Sequence, residues 1–137
     1  MSQSIVRAAL EARLKTWADA QSPPLQIAFE GTRFEKPQDG SPYLECFLIP
    51  NKTLNRQADG LSKTLLGLFQ VNVWTPNGSG VGQAQEIAEA VIELFPMIPK
   101  WSAVSVEQTP AMNQTRPDAA GWLITPVLVK YRYEGSV

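Results

Sequence analysis

Apolar side chains recur at helical spacing near the start of the chain. Val6, Leu10, Leu14 and Trp17 are separated by four, four and three residues, so they share one side of a helix over Ile5 to Ala20. A pair of prolines follows this segment and ends the helix. The pattern therefore predicts an amphipathic first helix with one buried side.

A second helix is predicted from Gln83 to Phe95. Its apolar stripe consists of Ala84, Ile87, Ala88, Val91, Leu94 and Phe95. Its exposed side carries Glu86, Glu89 and Glu93. A proline follows at position 96, which fits the end of a helix.

Five other segments have the alternation or composition of strands. They are Leu25 to Phe29, Tyr43 to Ile49, Leu65 to Thr75, Ala103 to Glu107 and Trp122 to Tyr133. The resulting order is α-β-β-β-α-β-β, in which neighbouring strands favour hairpins. We therefore predict an α+β fold, with a mainly antiparallel sheet of about five strands and two helices packed on it.

Two prolines and two polar segments refine this prediction. Pro50 ends the second strand, and Pro126 places the last strand at a sheet edge or in a bulge, because proline cannot donate to a ladder. Asn51 to Lys63 is interpreted as a long mobile loop or an extended hairpin arm. Pro110 to Gly121 is interpreted as a second long loop.

Composition fits one folded domain over residues 1–137. Hydrophobic residues make up 44% of the chain and charged residues 18%, which is enough apolar side chain for a core and too little charge for disorder. The net charge of -1 gives no general excess of positive charge for nucleic-acid binding. No stretch has the length of a signal peptide's apolar region or of a membrane helix, so we expect no membrane partner.

The residue types that are absent exclude much chemistry. The chain has no histidine, which excludes Ser-His-Asp and Cys-His catalysis and histidine-ligated metal sites. Cys46 is the single cysteine, and it alternates with Leu44 and Leu48 as a core residue would. We therefore expect no enzyme activity, no cofactor and no metal.

One alternative is a phosphate or nucleotide site at Gly78, Gly80 and Gly82, which lie between a strand and a helix N-terminus. The spacing does not match the dinucleotide fingerprint or the P-loop, and no lysine follows. A flexible turn is the favoured interpretation.

The glutamates of the second helix allow two interpretations. They are candidate metal ligands or acid/base groups, but a row at this spacing is more often a solvated face. Lys52, Arg56 and Lys63 give the segment from Asn51 to Lys63 a net positive charge, so the acidic helix and this basic arm are candidates to meet across a subunit contact. Arg116, in the second long loop, is a further candidate interface residue.

The chain as a whole resembles the tail terminators of long-tailed bacteriophages, the family of the lambda-type tail terminator. The resemblance is carried by residues spread over nearly the whole length: Ile5 through Leu14, Trp17, Phe29-Glu30-Gly31, Phe34, Pro37, Pro42-Tyr43-Leu44, Gly67-Leu68-Phe69-Gln70-Val71, Val73, Gly78, Gly80, Gly82, Ala84, Glu86, Ala88, Phe95-Pro96, Gly121-Trp122, Pro126-Val127, Val129 and Tyr131. These are structural positions and carry no catalytic residue.

The resemblance implies a structural protein of the virion tail, made in the bacterial host cytoplasm. Tail terminators form a six-membered ring that caps the finished tail tube and meets the head-tail connector. DNA passes through that ring without being read. The partners implied are therefore further copies of the chain, the tail tube protein and the connector, with another head-tail completion role as an alternative.

Overall fold

A computed structural model describes residues 2–37, 39–55, 62–78, 80–97, 104–118 and 121–136. The elements are α1 (Ser2–Asp19), β1 (Gln26–Phe29), β2 (Tyr43–Asn55), β3 (Ser62–Pro76), α2 (Gly82–Leu94), β4 (Val104–Val106), β5 (Ala111–Met112), β6 (Arg116–Pro117) and β7 (Trp122–Ser136). Both predicted helices are present, and each predicted strand has a counterpart.

The α+β class is confirmed, with two helices and one sheet. The sheet is mixed and has seven strands, so the number of strands and their pairing differ from the prediction. Its order is β1-β2-β3-β7-β4, and β5 and β6 also pair with β7. β1 runs parallel to β2, because the segment between them carries the chain back to the end from which β1 started. The expectation of hairpins holds for β2 with β3, but it was wrong for β1 with β2.

The predicted loop from Pro110 to Gly121 contains two short strands. β4, β5 and β6 follow one another along the same side of β7, so together they form a broken edge strand. Each of the last two is only two residues long, and such short ladders leave no alternation for a sequence pattern to show.

The edge position predicted for Pro126 was wrong, because β7 lies inside the sheet and has no bulge against β3, but the strand on the other side of β7 has one extra residue opposite Pro126, between β5 and β6. The register between the two strands runs without a shift through the pair of Asn72 and Pro126. The carbonyl of Pro126 accepts a hydrogen bond from the backbone N–H of Asn113 at 2.8 Å, so this residue turns its backbone away from β3. Its missing N–H therefore removes no bond from the β3 ladder.

Pro50 does not end its strand either. β2 continues to Asn55, with an irregularity in its pairing to β3 between Pro50 and Lys52. A bulge accommodates a proline inside a strand because one residue there is left out of the ladder. The strand therefore extends into the segment that was predicted to be either a loop or a hairpin arm.

The core lies between the two helices and one face of the sheet. α1 buries Val6, Leu10, Leu14 and Ala18, while Trp17 is only partly buried against the same cluster. The sheet contributes alternate residues from three strands: Leu44, Cys46 and Leu48; Phe69, Val71 and Val73; and Val127, Val129 and Tyr131. The opposite face of the sheet, which we call the open face, has no helix on it among the described residues.

Glu30 follows the last residue of β1, and its side chain, in place of a backbone carbonyl, accepts the next hydrogen bond from β2. Its Oε1 accepts the backbone N–H of Leu48 at 2.8 Å and also a hydrogen bond from Arg7 of α1 at 2.9 Å. The bond from Leu48 is the main reason that the pKa of Glu30 lies below its usual value of 4.5, and Arg7 lowers it further. One carboxylate thus joins α1, β1 and β2.

This carboxylate gives folding stability a definite pH dependence. Because the pKa of Glu30 is lower in the folded state than in the unfolded chain, its contribution is present above pH 4.5 and is lost as pH falls through the folded value. We expect Glu30→Gln to remove part of the fall in unfolding free energy between about pH 7 and about pH 3, measured by urea denaturation. Glu86→Gln, at an exposed position of α2, is the control and should keep the wild-type slope. Equal slopes for all three proteins would contradict the assignment.

Candidate assembly surfaces

The acidic row lies on the exposed side of α2. Glu86, Glu89 and Glu93 are all exposed, while Ala84, Ala88 and Val91 on the other side are buried against the sheet. The sequence from Thr64 to Pro99 contains no lysine or arginine. The exposed side of α2 is therefore a negative surface, here called the acidic helix face.

The basic segment is an extension of the sheet. β2 and β3 stay paired as far as Asn55 and Lys63, which confirms the hairpin-arm interpretation for the described part. β7 accompanies β3 to the pair of Ser62 and Ser136, so the arm has three strands and the last strand runs beyond its predicted end. Lys52 is exposed and Lys63 is half-buried on this arm, while Arg56 lies outside the described residues.

A single chain does not join these two surfaces. Among the described residues, no ion pair links the acidic helix face to Lys52 or Lys63. Arg116 is exposed in β6, on the broken edge strand beside β7. The charges are therefore available on separate parts of the surface, as a contact between copies requires.

The glycine turn before α2 is open. Gly78 and Gly80 have φ angles of 108° and 79°, which favour glycine, and a side chain added at either position would meet nothing within 4 Å. Val81 caps the helix without a side-chain hydrogen bond. These features are typical of a solvated strand-to-helix turn and provide no cationic side chain for a phosphate.

An aromatic cluster at one end of the open face was missed as a unit by the sequence analysis. The ring of Tyr43 stacks on Trp74 with centroids 5.4 Å apart, and it meets Trp122 edge-on at 5.3 Å and Phe34 at 5.1 Å. Lys36 places its Nζ 5.0 Å from the centre of the Trp74 ring. The alternation of each strand was visible in the sequence, but the register that sets Tyr43 opposite Trp74 was not.

Polar side chains continue across the open face beside this cluster. Glu45 Oε1 accepts hydrogen bonds from Asn72 Nδ2 and Trp74 Nε1, both at 3.1 Å, and Gln70 donates to Asn72 Oδ1 at 2.8 Å. Burial, with the nearby negative charges of Glu45 and Asp118, raises the pKa of Tyr43 to about 12. These groups hold one another in place and present no reactive pair.

The described part of the chain contains no candidate metal cluster, and its cysteine is buried. In that part of the chain, no cluster of cysteine, aspartate and glutamate side chains is arranged to hold a metal ion. No helix in the described ranges is long and apolar enough to cross a membrane. Cys46 is fully buried, and burial raises the pKa of its thiol to about 12, so it is not an activated nucleophile.

Comparison with known proteins decides the family. The family model described as "Phage tail terminator protein" matches residues 5–131, which is nearly the whole chain. The chain belongs to the phage tail terminator protein family. This confirms the resemblance that the sequence analysis stated, and it makes the chain a phage structural protein of the tail.

A solved structure of another protein supports the same fold. It is 32% identical to this chain, with a TM-score of 0.77, and the alignment covers 96% of this chain and 95% of the other. No curated protein matches the sequence significantly. The family match spans both helices and most of the sheet, so α2, β2 and β3 all lie within the matched residues.

Proposed function

We propose that this tail protein is a tail terminator that assembles as a homo-oligomeric ring of six copies, caps the finished tail tube and joins it to the head-tail connector. The observation that carries the proposal is the family match over residues 5–131. In this role the tube protein and the connector are partners, and DNA passes through the ring without being read. The protein then acts in the virion tail, after synthesis in the host cytoplasm, and performs no catalysis.

The surface of the chain supports a ring contact. A closed ring is built from heterologous contacts, in which one patch of a subunit meets a different patch of its neighbour. The acidic helix face and the basic arm are two such patches of opposite charge, and their described residues lie on a helix and on paired strands. We assign Glu86, Glu89, Glu93, Lys52, Arg56, Lys63 and Arg116 to this contact or to the contacts with tail partners. Charged groups at a rim mainly steer association and set its register.

Sedimentation velocity tests the ring directly. A closed ring of six copies of the 15.1 kDa chain has a mass of about 90 kDa. We expect this species to appear as concentration rises, either alone or when tail tubes are supplied as a template. A protein that stays monomeric at every concentration and also fails to bind tail tubes would contradict the proposed role.

The charge contact makes its own prediction. Reversing Glu86 and Glu89 to lysine should weaken assembly by about ten-fold in midpoint concentration, because like charges then face each other. Reversing Lys52 and Arg56 to glutamate in the same chain should restore assembly. Sedimentation at low and high salt measures both effects, and the wild-type contact should weaken as salt screens it.

A matched control separates this contact from general charge effects. Glu35→Lys with Asp39→Lys, two exposed acids between β1 and β2, changes the net charge by the same amount but leaves α2 unaltered, and it should assemble like the wild type. If the reversed arm does not restore assembly, the proposed contact between the arm and α2 is wrong. The proposed ring is still supported in that case if the wild type assembles.

Phosphate or nucleotide binding at Gly78, Gly80 and Gly82 remains the alternative function, and it has a simple test. A ligand of the native state must raise the melting temperature. Because the turn is open and offers no cation, we expect ATP, GTP and inorganic phosphate at about 5 mM, some fifty times a typical 0.1 mM affinity, to leave it unchanged. A shift of several degrees that Gly80→Val abolishes would favour the alternative.

A further inference from the structure

A bulge interrupts the broken edge strand beside β7. This strand has three residues between the end of β5 and the start of β6, where β7 has two. The backbone N–H of Asn113 donates to the carbonyl of Pro126, and the hydroxyl of Thr115 lies 2.6 Å from that of Thr125. Gln114 is therefore the extra residue. Bulges are common beside functional sites because they re-aim side chains.

A polar cavity of about 570 Å³ lies beside this bulge. Its floor belongs to the open face and includes Gln70 and Leu128, which pair across β3 and β7. The bulged segment, residues 113–117, lines the other side. Arg116 pairs with Ile124 of β7, so its side chain lies on the same face of the sheet as Gln70 and Leu128.

The cavity offers hydrogen-bond donors that have no partner within the chain. In the part of the chain that the structure describes, the exposed side chains of Asn113, Gln114 and Arg116 make no hydrogen bond or ion pair. None of the described residues that line the cavity is acidic. A guanidinium offers two parallel N–H donors to a carboxylate, and side-chain amides can bond to a peptide backbone. The cavity therefore suits a protein segment that carries an aspartate or a glutamate.

The acidic helix face of a neighbouring copy is too short to reach both this cavity and the arm. Arg116 lies opposite Ile124 of β7, whereas Lys52 shares a row across the sheet with Arg132 of β7. Arg132 lies eight residues further along β7 than Ile124, which is about 27 Å along a strand. Between the first and last glutamate of the acidic helix face, the helix advances only about 10 Å. Since that face is assigned to the arm, the cavity needs a carboxylate from another source.

We propose that the cavity beside Arg116 binds a carboxylate of another tail protein, the tube protein or the connector, rather than a carboxylate of a neighbouring copy. This inference rests on the proposed function and divides its candidate residues into two groups. The arm and α2 close the ring, and Arg116 holds the ring on its partner. Two guanidinium N–H groups donate to the carboxylate, while Asn113 and Gln114 bond to the partner's backbone. Two parallel bonds fix the direction of approach as well as adding affinity.

Arg116→Gln tests this contact, because it removes the charge and keeps an amide. We expect the variant to form the ring like the wild type in sedimentation velocity. Its affinity for the partner should fall about ten-fold, because hydrogen bonds to a charged group are lost. Binding is measured by co-sedimentation with purified tail tubes and, separately, by pull-down of the purified connector protein. The partner whose affinity falls is the one that supplies the carboxylate.

Arg33→Gln is the matched control. Arg33 is an exposed arginine between β1 and β2 and does not line the cavity, so the net charge changes by the same amount while the cavity is unaltered. This variant should form the ring and bind both partners like the wild type.

A zero-length cross-link identifies the carboxylate. A carbodiimide joins a lysine amine to a carboxylate in direct contact, forming an amide with loss of water. Arg116→Lys keeps the positive charge and supplies that amine, and peptide mass spectrometry then locates the product. We expect a link from position 116 to an aspartate or glutamate of the tube protein or the connector. The wild type has no amine at this position, so its products show the background from the native lysines.

Each outcome bears on the proposal. A link from position 116 to a glutamate of another copy, or a loss of ring formation in Arg116→Gln, would assign the cavity to the ring contact and overturn the inference. If Arg116→Gln binds both partners as tightly as Arg33→Gln does, the cavity holds no carboxylate, and the terminator function stands as long as the wild type forms the ring. A wild type that forms no ring, alone or on tail tubes, and binds neither partner overturns the proposed function and this inference with it.

Discussion

Gly67→Ala is expected to destabilise the fold by about 3 kcal/mol, the upper end of the usual cost of overpacking. Gly67 lies in β3, and a Cβ there would be 2.6 Å from both the carbonyl oxygen of Ile49 and Cζ of Tyr131, with the Tyr131 hydroxyl closer still. Tyr131 is fully buried, and its hydroxyl donates to Gln3 of α1 at 3.1 Å, so the ring cannot move aside cheaply. The unfolding free energy from urea denaturation measures the loss.

Gly82→Ala is the matched control for this substitution. Gly82 is the first residue of α2, and an added Cβ would meet nothing within 4 Å. Alanine forms helix better than glycine, so we expect no loss and a gain of up to about 1 kcal/mol. If Gly67→Ala stayed within about 0.5 kcal/mol of the wild type, the ring of Tyr131 would not be held against β3 as described.

The helices were the most predictable part of the fold. Their apolar stripes recur every three or four residues, and burial of that stripe is what holds such helices on a sheet. The structure confirms this for Val6, Leu10 and Leu14 of α1. The boundaries differ by a few residues, because helix ends are fixed by local hydrogen bonds that periodicity does not report.

The positions of the strands were predicted correctly, but their pairing was not. Alternation shows which side of a strand is buried, and it correctly placed Phe69, Val71 and Val73 on one face. It carries no information about which strand lies beside which, so the parallel β1, the edge strands β5 and β6 and the interior position of Pro126 were all missed. Strand pairing depends on contacts between residues far apart in the chain.

The candidate surfaces show the same limit. Composition alone identified an acidic helix and a basic segment, and the structure places Glu86, Glu89 and Lys52 on exposed positions of regular elements. The stacking of Tyr43 on Trp74 was not predicted, because it depends on the register between β2 and β3. Charge can be read from the sequence, whereas contacts between strands depend on the topology.

Phe95→Ala is expected to cost about 4 kcal/mol, as usual when a buried phenylalanine is removed from a core. Phe95 follows α2 and is fully buried, with its ring edge-on to Phe69 of β3 at 5.8 Å between centroids. At the same end of α2, the carbonyl of Leu94 accepts a hydrogen bond from Arg13 Nε of α1 at 2.6 Å. The ring therefore fixes the point where both helices meet the sheet, and its loss leaves a cavity there.

Two companion variants make the result interpretable even if Phe95→Ala does not fold. Phe95→Leu keeps most of the apolar volume and should cost about 1 to 2 kcal/mol, in proportion to the smaller cavity. Met97→Ala, at a side chain that is 44% exposed, removes an apolar group just beyond the helix and should stay within about 0.5 kcal/mol of the wild type. Urea denaturation with tryptophan fluorescence ranks the three variants. If Phe95→Leu were as harmless as Met97→Ala, the contact with Phe69 would contribute little to attaching α2, and the acidic helix face would depend for its position on Ala84, Ala88 and Val91.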